Sequence, residues 1–127
     1  MVVQEYDFQT WEPFPPIEES DELKRIWDGT YEKTGKDPRA GFKIAAYFVE
    51  AGMGEPDGTD VWGDLGSLRT MNRMNVQVMK SFLPQAIELG LISEEHGMKL
   101  IERIQEIAGE QYHSMLAPLV MSAWKKI

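Results

Sequence analysis

Apolar residues recur at the spacing of an amphipathic helix in two stretches of the first half of the chain. The first stretch predicts a helix that Ser20 or Asp21 caps and that ends at Gly35. Its apolar side consists of Leu23, Ile26, Trp27, Thr30 and Tyr31. The second stretch predicts a helix that begins at Pro38, with Asp37 as its cap, and ends at Gly52. Its apolar stripe consists of Ile44, Ala45, Phe48 and Val49.

Two further helices are predicted in the second half of the chain. A methionine-rich helix is expected from about Leu68 to Leu83, because Pro84 removes a backbone donor and must kink or end it. Its apolar side consists of Met71, Met74, Val78, Met79 and Phe82. Ser93 is expected to cap the last helix. The core residues of that helix are Leu100, Ile101, Ile104 and Ala108.

Branched and aromatic residues predict short strands near both ends of the chain. Residues 2–8 are expected to form a strand that enters a proline-rich loop, and Val61-Trp62 is a candidate for a second. The tail Leu116–Trp124 is the third, provided that Pro118 lies at its start or at a bulge. These elements predict one domain over residues 1–127. Its expected fold is α+β and mainly helical, with about four helices and a small sheet of two or three strands.

Composition narrows the class of protein. The 21 acidic and 13 basic residues give a net charge of -8, which disfavours nucleic acid and anionic membranes as partners. The chain has no cysteine, which excludes disulfides, thiolate zinc sites and cysteine nucleophiles. No signal peptide or long apolar run is present in the sequence. The expectation is a soluble, cytoplasmic protein.

Three stretches carry a family resemblance. They are VVQEYDFQTWEPFPP (2–16), TGKDPRAGFKIAAYFVEAGM (34–53), and GLISEEHGMKLIERIQ followed by LVMSAWKKI at the end. In series they resemble the C-terminal part of class I S-adenosylmethionine (SAM)-dependent methyltransferases, from the fifth sheet strand onward. The resemblance implies three strands paired in the order fifth, seventh, sixth, with a helical insertion at Leu68–Leu91. It also implies a role on the methyl-acceptor side. Phe42 departs from the family, which commonly has a basic residue there.

The SAM-binding half of that family is not recognisable in this sequence. Such a half brings a strand, a glycine-rich turn at a helix start and an acidic residue that holds the ribose. The one candidate turn, Glu50–Gly54, follows helical rather than strand periodicity and is interpreted as a helix end and loop. We therefore expect no cofactor on this chain, and SAM only where a complementary cofactor-binding half is present. The chain alone is not expected to be an active enzyme.

Several residues are candidates for binding the acceptor. Glu5 and Asp7 lie at the carboxyl end of the predicted fifth strand, where open parallel sheets place ligands. The aromatic candidates are Trp11 and Tyr31, and the candidates on the methionine-rich helix are Met71, Arg73 and Met74. Each has a structural alternative: a turn at the strand end, core packing, a dimer seam or a solvated face. No further potential metal ligand stands at a suitable sequence spacing from His96 or His113, so no metal site is assigned. No catalytic residue is assigned either.

Two classes of function follow. The first is the acceptor-binding or lid portion of a methyltransferase, with the cofactor half on a separate chain or upstream segment. The alternative is a non-catalytic module of the same descent that binds a small molecule or dimerises. A complete but unrelated enzyme is the third and weakest hypothesis. The expected partners are a second copy or a cofactor-binding chain, which would shield an apolar strand edge at Val2–Tyr6 or the methionine-rich helix, together with an apolar small-molecule acceptor.

Overall fold

The two ends of the chain meet in one sheet. In the computed structural model, which describes residues 1–126, β1 (Val2–Asp7) pairs with β6 (Leu119–Trp124). On its other side β6 pairs with β3 (Gly58–Trp62). Both pairings are antiparallel, so β1 and β3 run parallel to each other. The observed order is β1–β6–β3. It corresponds to the order fifth, seventh, sixth that the family resemblance implies.

A second antiparallel sheet has the order β2 (Glu12–Phe14), β5 (Ser114–Leu116), β4 (Leu65–Ser67). Sequence patterns did not predict β2, which lies in the proline-rich stretch. Because β2 is an edge strand, it tolerates a proline that cannot donate to the ladder. Pro118 divides the predicted tail strand into β5 and β6, and it stands directly before β6, where a proline is acceptable.

Four helices complete the α+β fold, in which 54% of the residues are helical. They are α1 (Glu18–Lys33), α2 (Ile44–Glu50), α3 (Leu68–Glu88) and α4 (Glu94–Glu110). The Ser93 hydroxyl caps α4 as predicted, since it accepts a hydrogen bond from the backbone N–H of His96 at 3.1 Å. The fold class expected from the sequence is therefore confirmed, with two three-stranded sheets in place of one.

Three helix boundaries differ from the prediction. Neither Ser20 nor Asp21 caps α1, which starts at Glu18 without a side-chain cap. The second helix begins at Ile44 instead of Pro38. Asp37 Oδ1 accepts a hydrogen bond from the N–H of Arg39 at 2.9 Å, but a turn and a short 3-10 helix (Ala40–Lys43) follow before α2 begins. The third runs through Pro84 to Glu88. Buried residues on both sides of the proline stabilise this continuation and offset the lost backbone hydrogen bond.

The core has two parts. The larger part lies between α1, α3, α4 and the second sheet, and its most enclosed members are Leu23, Leu68, Met79, Ala86, Ile104 and Met115. The smaller part lies where α2 covers one face of the β1–β6–β3 sheet. It consists of Ile44, Phe48, Met121 and Ala123. On the opposite face of this sheet, Tyr6 packs against the larger core.

Candidate functional site

A cavity of about 390 Å³ opens where β1 and β3 end and β6 begins. The sheet contributes Tyr6, Trp62 and Val120. Helix α3 contributes Met71, Met74 and Val78. The β3–β4 and β5–β6 connections close the remaining side with Gly63, Asp64, Ala117 and Pro118. The cavity is therefore mostly apolar and falls in the size range of about 300 to 1,000 Å³ that holds small organic ligands.

Strand register and helical period bring these side chains together. Val120 pairs with Tyr6 on one side and with Trp62 on the other. Residues directly opposite each other point to the same face of a sheet, so these three side chains form a row across the strand ends. Positions three and four apart share one side of a helix, which places Met71, Met74 and Val78 together. The cavity is the space between this row and this helix face.

Of the described residues that line the cavity, Asp64 alone carries a charged side chain. Its backbone carbonyl accepts a hydrogen bond from the N–H of Ala117 at 2.9 Å, which fixes the turn after β3. Gly63 lets this turn lie against β6, because a Cβ there would come within 2.7 Å of Leu119 Cδ2. The Asp64 side chain is exposed, and its carboxylate enters none of the ion pairs found in residues 1–126.

Tyr6, which lines the cavity, is part of an aromatic cluster with Trp27 and Tyr31. The Tyr6 ring lies 5.4 Å from the Trp27 ring, and Trp27 stacks 4.8 Å from Tyr31. Burial raises the pKa of Tyr31 to about 12, with smaller contributions from Glu5 and Tyr6. Burial first, and then Glu5, raise the pKa of Tyr6 as well. Both phenols therefore stay neutral at physiological pH.

Glu5 lies beside this cluster and is engaged with the backbone. Its Oε1 accepts a hydrogen bond from the N–H of Tyr6 at 3.0 Å. The side chain is half-buried and does not line the cavity. Tyr31 likewise packs next to the cavity through Trp27, without lining it. Of the predicted acceptor residues, Met71 and Met74 line the cavity directly.

Asp7 and Trp11 are structural in this fold. The Asp7 side chain is 2% exposed, and its Oδ2 accepts a hydrogen bond from Arg39 Nε at 2.6 Å. Its Oδ1 accepts a second from the N–H of Gln9 at 2.9 Å. Trp11 is buried and packs 5.5 Å from the ring of Phe8. Neither side chain lines the cavity, so the suggestion that they contact the acceptor stays a prediction.

Arg73 is exposed on α3 and is not among the cavity-lining residues. A second depression between α1 and α4 contains His96, which pairs with Glu22.

Within residues 1–126 no group of three or more histidine, aspartate or glutamate side chains is arranged to hold a metal ion. In the same residues, no helix has the length and apolar character to cross a membrane.

Sequence reasoning missed Tyr6, Trp62 and Asp64 as site residues. The pattern around Val61-Trp62 indicated a strand, but nothing local told which strand it pairs with or which face Trp62 occupies. The methionines were found because helical period alone places them on one side of α3.

No protein-family model matches the chain, and none of the curated proteins is significantly similar to it. The methyltransferase resemblance therefore stays a prediction based on the three sequence stretches quoted above.

Proposed function

We propose that this chain forms the acceptor-binding side of a class I SAM-dependent methyltransferase. One observation carries the proposal: the apolar cavity lies at the carboxyl ends of the two parallel strands β1 and β3. Open sheets with parallel strands bind their ligands at that edge. The strand order β1–β6–β3 supports the proposal because it equals the order that the family resemblance implied.

In this role the chain binds and orients an apolar acceptor. Met71 and Met74 adapt their unbranched side chains to the shape of the ligand. Tyr6, Trp62 and Val120 form the opposite wall, and the ligand displaces water from both. Methyl transfer depends mainly on proximity and alignment, so the contribution of these residues is positioning.

The candidate turn Glu50–Gly54 does not fit SAM. Gly52 and Gly54 have φ values of 80° and 78°, but they follow the end of α2 and lead into β3. A dinucleotide- or nucleoside-binding turn opens a helix instead, so that the helix N-terminus and the glycines face the ligand. We therefore assign the cofactor to another polypeptide segment, where it would supply the methyl group.

Methionine-methyl NMR tests the cavity. In protein labelled with ¹³C at the methionine methyl groups, titration with 1-octanol is expected to shift the Met71 and Met74 signals in a saturable manner. Met98 is the internal control, since it is 59% exposed on α4 and lies outside this cavity. Unchanged Met71 and Met74 signals, or equal shifts of Met98, would contradict the proposal.

Calorimetry tests the assignment of the cofactor. We expect no measurable heat when SAM is added to this chain alone, because the candidate turn Glu50–Gly54 leads into a strand and does not open a helix. Binding with micromolar affinity would overturn the division into an acceptor side and a separate cofactor side.

An alternative function as a dimerisation module has one observation in its favour. Val2, Trp62 and Trp124 lie on the same face of the β1–β6–β3 sheet and are all partly exposed. Two copies packed through this face would bury an apolar surface that carries one acidic residue, Asp60. Because this face carries one acidic residue, contact through it brings few of the negative charges of the two chains, each of net charge -8, close together.

The strand edges of this sheet are less suited to pairing. Met1 and Lys125 exchange two backbone hydrogen bonds. In an antiparallel pair such bonds form at every second residue, so the backbone N–H and C=O groups of the residues between them point away from β6. The outward N–H of Tyr6 donates to Glu5, and on the other edge the N–H of Val61 donates to Asp60. These backbone N–H groups already donate to side chains, so they are not free to donate to the carbonyl groups of an added strand. Light scattering at micromolar concentration tests the alternative, and a monodisperse monomer would contradict it.

A further inference from the structure

We infer that the cavity between α3 and the strand ends selects an apolar molecule that carries a cationic amine, with the cation held at Asp64 and Trp62. The inference rests on the proposed acceptor role and adds the chemical class of the ligand. It depends on the combination of one acidic side chain with aromatic and thioether walls in a single cavity.

Charge is the first argument. Asp64 is the charged lining residue among those described, and its carboxylate is not engaged by a protein cation in residues 1–126. A carboxylate attracts a positive charge even in water, and more strongly where water is excluded. An anionic ligand would meet this carboxylate and the net charge of -8, and both repel it.

The wall chemistry is the second argument. Trp62 and Tyr6 line the same cavity, and aromatic faces attract cations through their quadrupole, with tryptophan the strongest. Trp62 is 54% exposed, so its ring is accessible to a ligand. The remaining walls, Met71, Met74 and Val78, offer no hydrogen-bond donor to an anion and suit an apolar body.

The geometry of the turn is the third argument. The hydrogen bond from Ala117 to the Asp64 carbonyl holds the turn at β5–β6, so the backbone from which the Asp64 side chain extends at the cavity rim is fixed. Gly63 permits this approach, as its missing Cβ makes room for Leu119.

Three matched probes test the inference at pH 7: n-octylamine, 1-octanol and octanoate, each titrated while the Met71 and Met74 methyl signals are followed. The amine is expected to bind about fivefold more tightly than the alcohol, which corresponds to about 1 kcal/mol. Octanoate is expected to bind more weakly than the alcohol. In Asp64→Asn the preference for the amine should fall well below fivefold, with what remains due to the Trp62 ring, and the affinity for the alcohol should be unchanged.

Glu55→Gln is the matched control, because it removes one negative charge beyond the opposite end of β3. This variant should keep the preference for the amine. A preference that survives undiminished in Asp64→Asn, or that falls equally in Glu55→Gln, would overturn the inference. Equal binding of all three probes would overturn it as well while leaving the cavity intact as a binding site. Failure of all three to bind would instead contradict the proposed function itself.

Discussion

The ion pair between Asp7 and Arg39 offers the sharpest test of how β1 is held in place. The Asp7 side chain is 2% exposed and the Arg39 side chain is 48% exposed, with Nε and Oδ2 2.6 Å apart. Arg39→Gln would leave a buried carboxylate with the N–H of Gln9 as its remaining partner. The strand end that carries Tyr6 would then lose its ion pair to the segment before α2.

The expected size of the effect follows from the burial of the two groups. Removal of one partner from a fully buried pair costs about 3 to 5 kcal/mol. Here half of the Arg39 side chain already contacts solvent, and Asp7 keeps one charge-assisted hydrogen bond, so the cost should be smaller. We expect Arg39→Gln to lower the free energy of unfolding by about 2 kcal/mol.

Urea unfolding followed by far-UV circular dichroism measures this change. A double-mutant cycle with Asp7→Asn and the double variant should give a coupling energy of about 1 to 2 kcal/mol. Arg73→Gln is the control, since it removes the same charge from an exposed position on α3 and should change stability by less than about 0.5 kcal/mol. An Arg39→Gln variant as stable as wild type, with no coupling, would refute the structural role of the pair.

Three further predictions concern the core, a helix cap and alkaline pH. Leu23→Ala should lower the free energy of unfolding by about 3 kcal/mol in urea, because Leu23 is fully buried between α1 and the core. Ser93→Ala should cost about 1 kcal/mol in the same assay, and an unchanged midpoint would contradict the capping role. Tyr31 has its pKa raised from 10.0 to about 12, so the unfolded chain loses this proton first and stability should fall between pH 10 and pH 12. After allowance for partial exposure the fall is about 1 kcal/mol, and Tyr31→Phe should remove that part of the pH dependence in thermal melts at pH 9 to 12.

Local signals in the sequence predicted the elements whose stability is local. Ser93 caps α4 because its hydroxyl reaches a backbone donor three residues away, and no distant residue competes for it. The start of α2 was mispredicted for the opposite reason. Asp37 Oδ1 accepts the backbone N–H of Arg39, but Oδ2 binds Lys43 and Tyr47 further along the chain. The Lys43 hydrogen bond first, and then the Arg39 hydrogen bond, lower the pKa of Asp37 to about 2.

The candidate site was predictable only on its helical side. Helical period sets which residues of α3 share a face, so Met71 and Met74 could be grouped from the sequence. Tyr6 and Trp62 come together only through their common neighbour Val120, which is more than 50 residues from either. No local pattern encodes that register. Asp7 shows the same limit, since its partner Arg39 lies on a distant turn and makes it structural.

Intermolecular nuclear Overhauser effects in the n-octylamine complex test the central claim most directly. With methionine methyl groups labelled, the cavity at the strand ends predicts contacts from the probe's methylene protons to Met71, Met74 and the ring of Trp62. Contacts confined to Leu91 and His96, in the depression between α1 and α4, would contradict it.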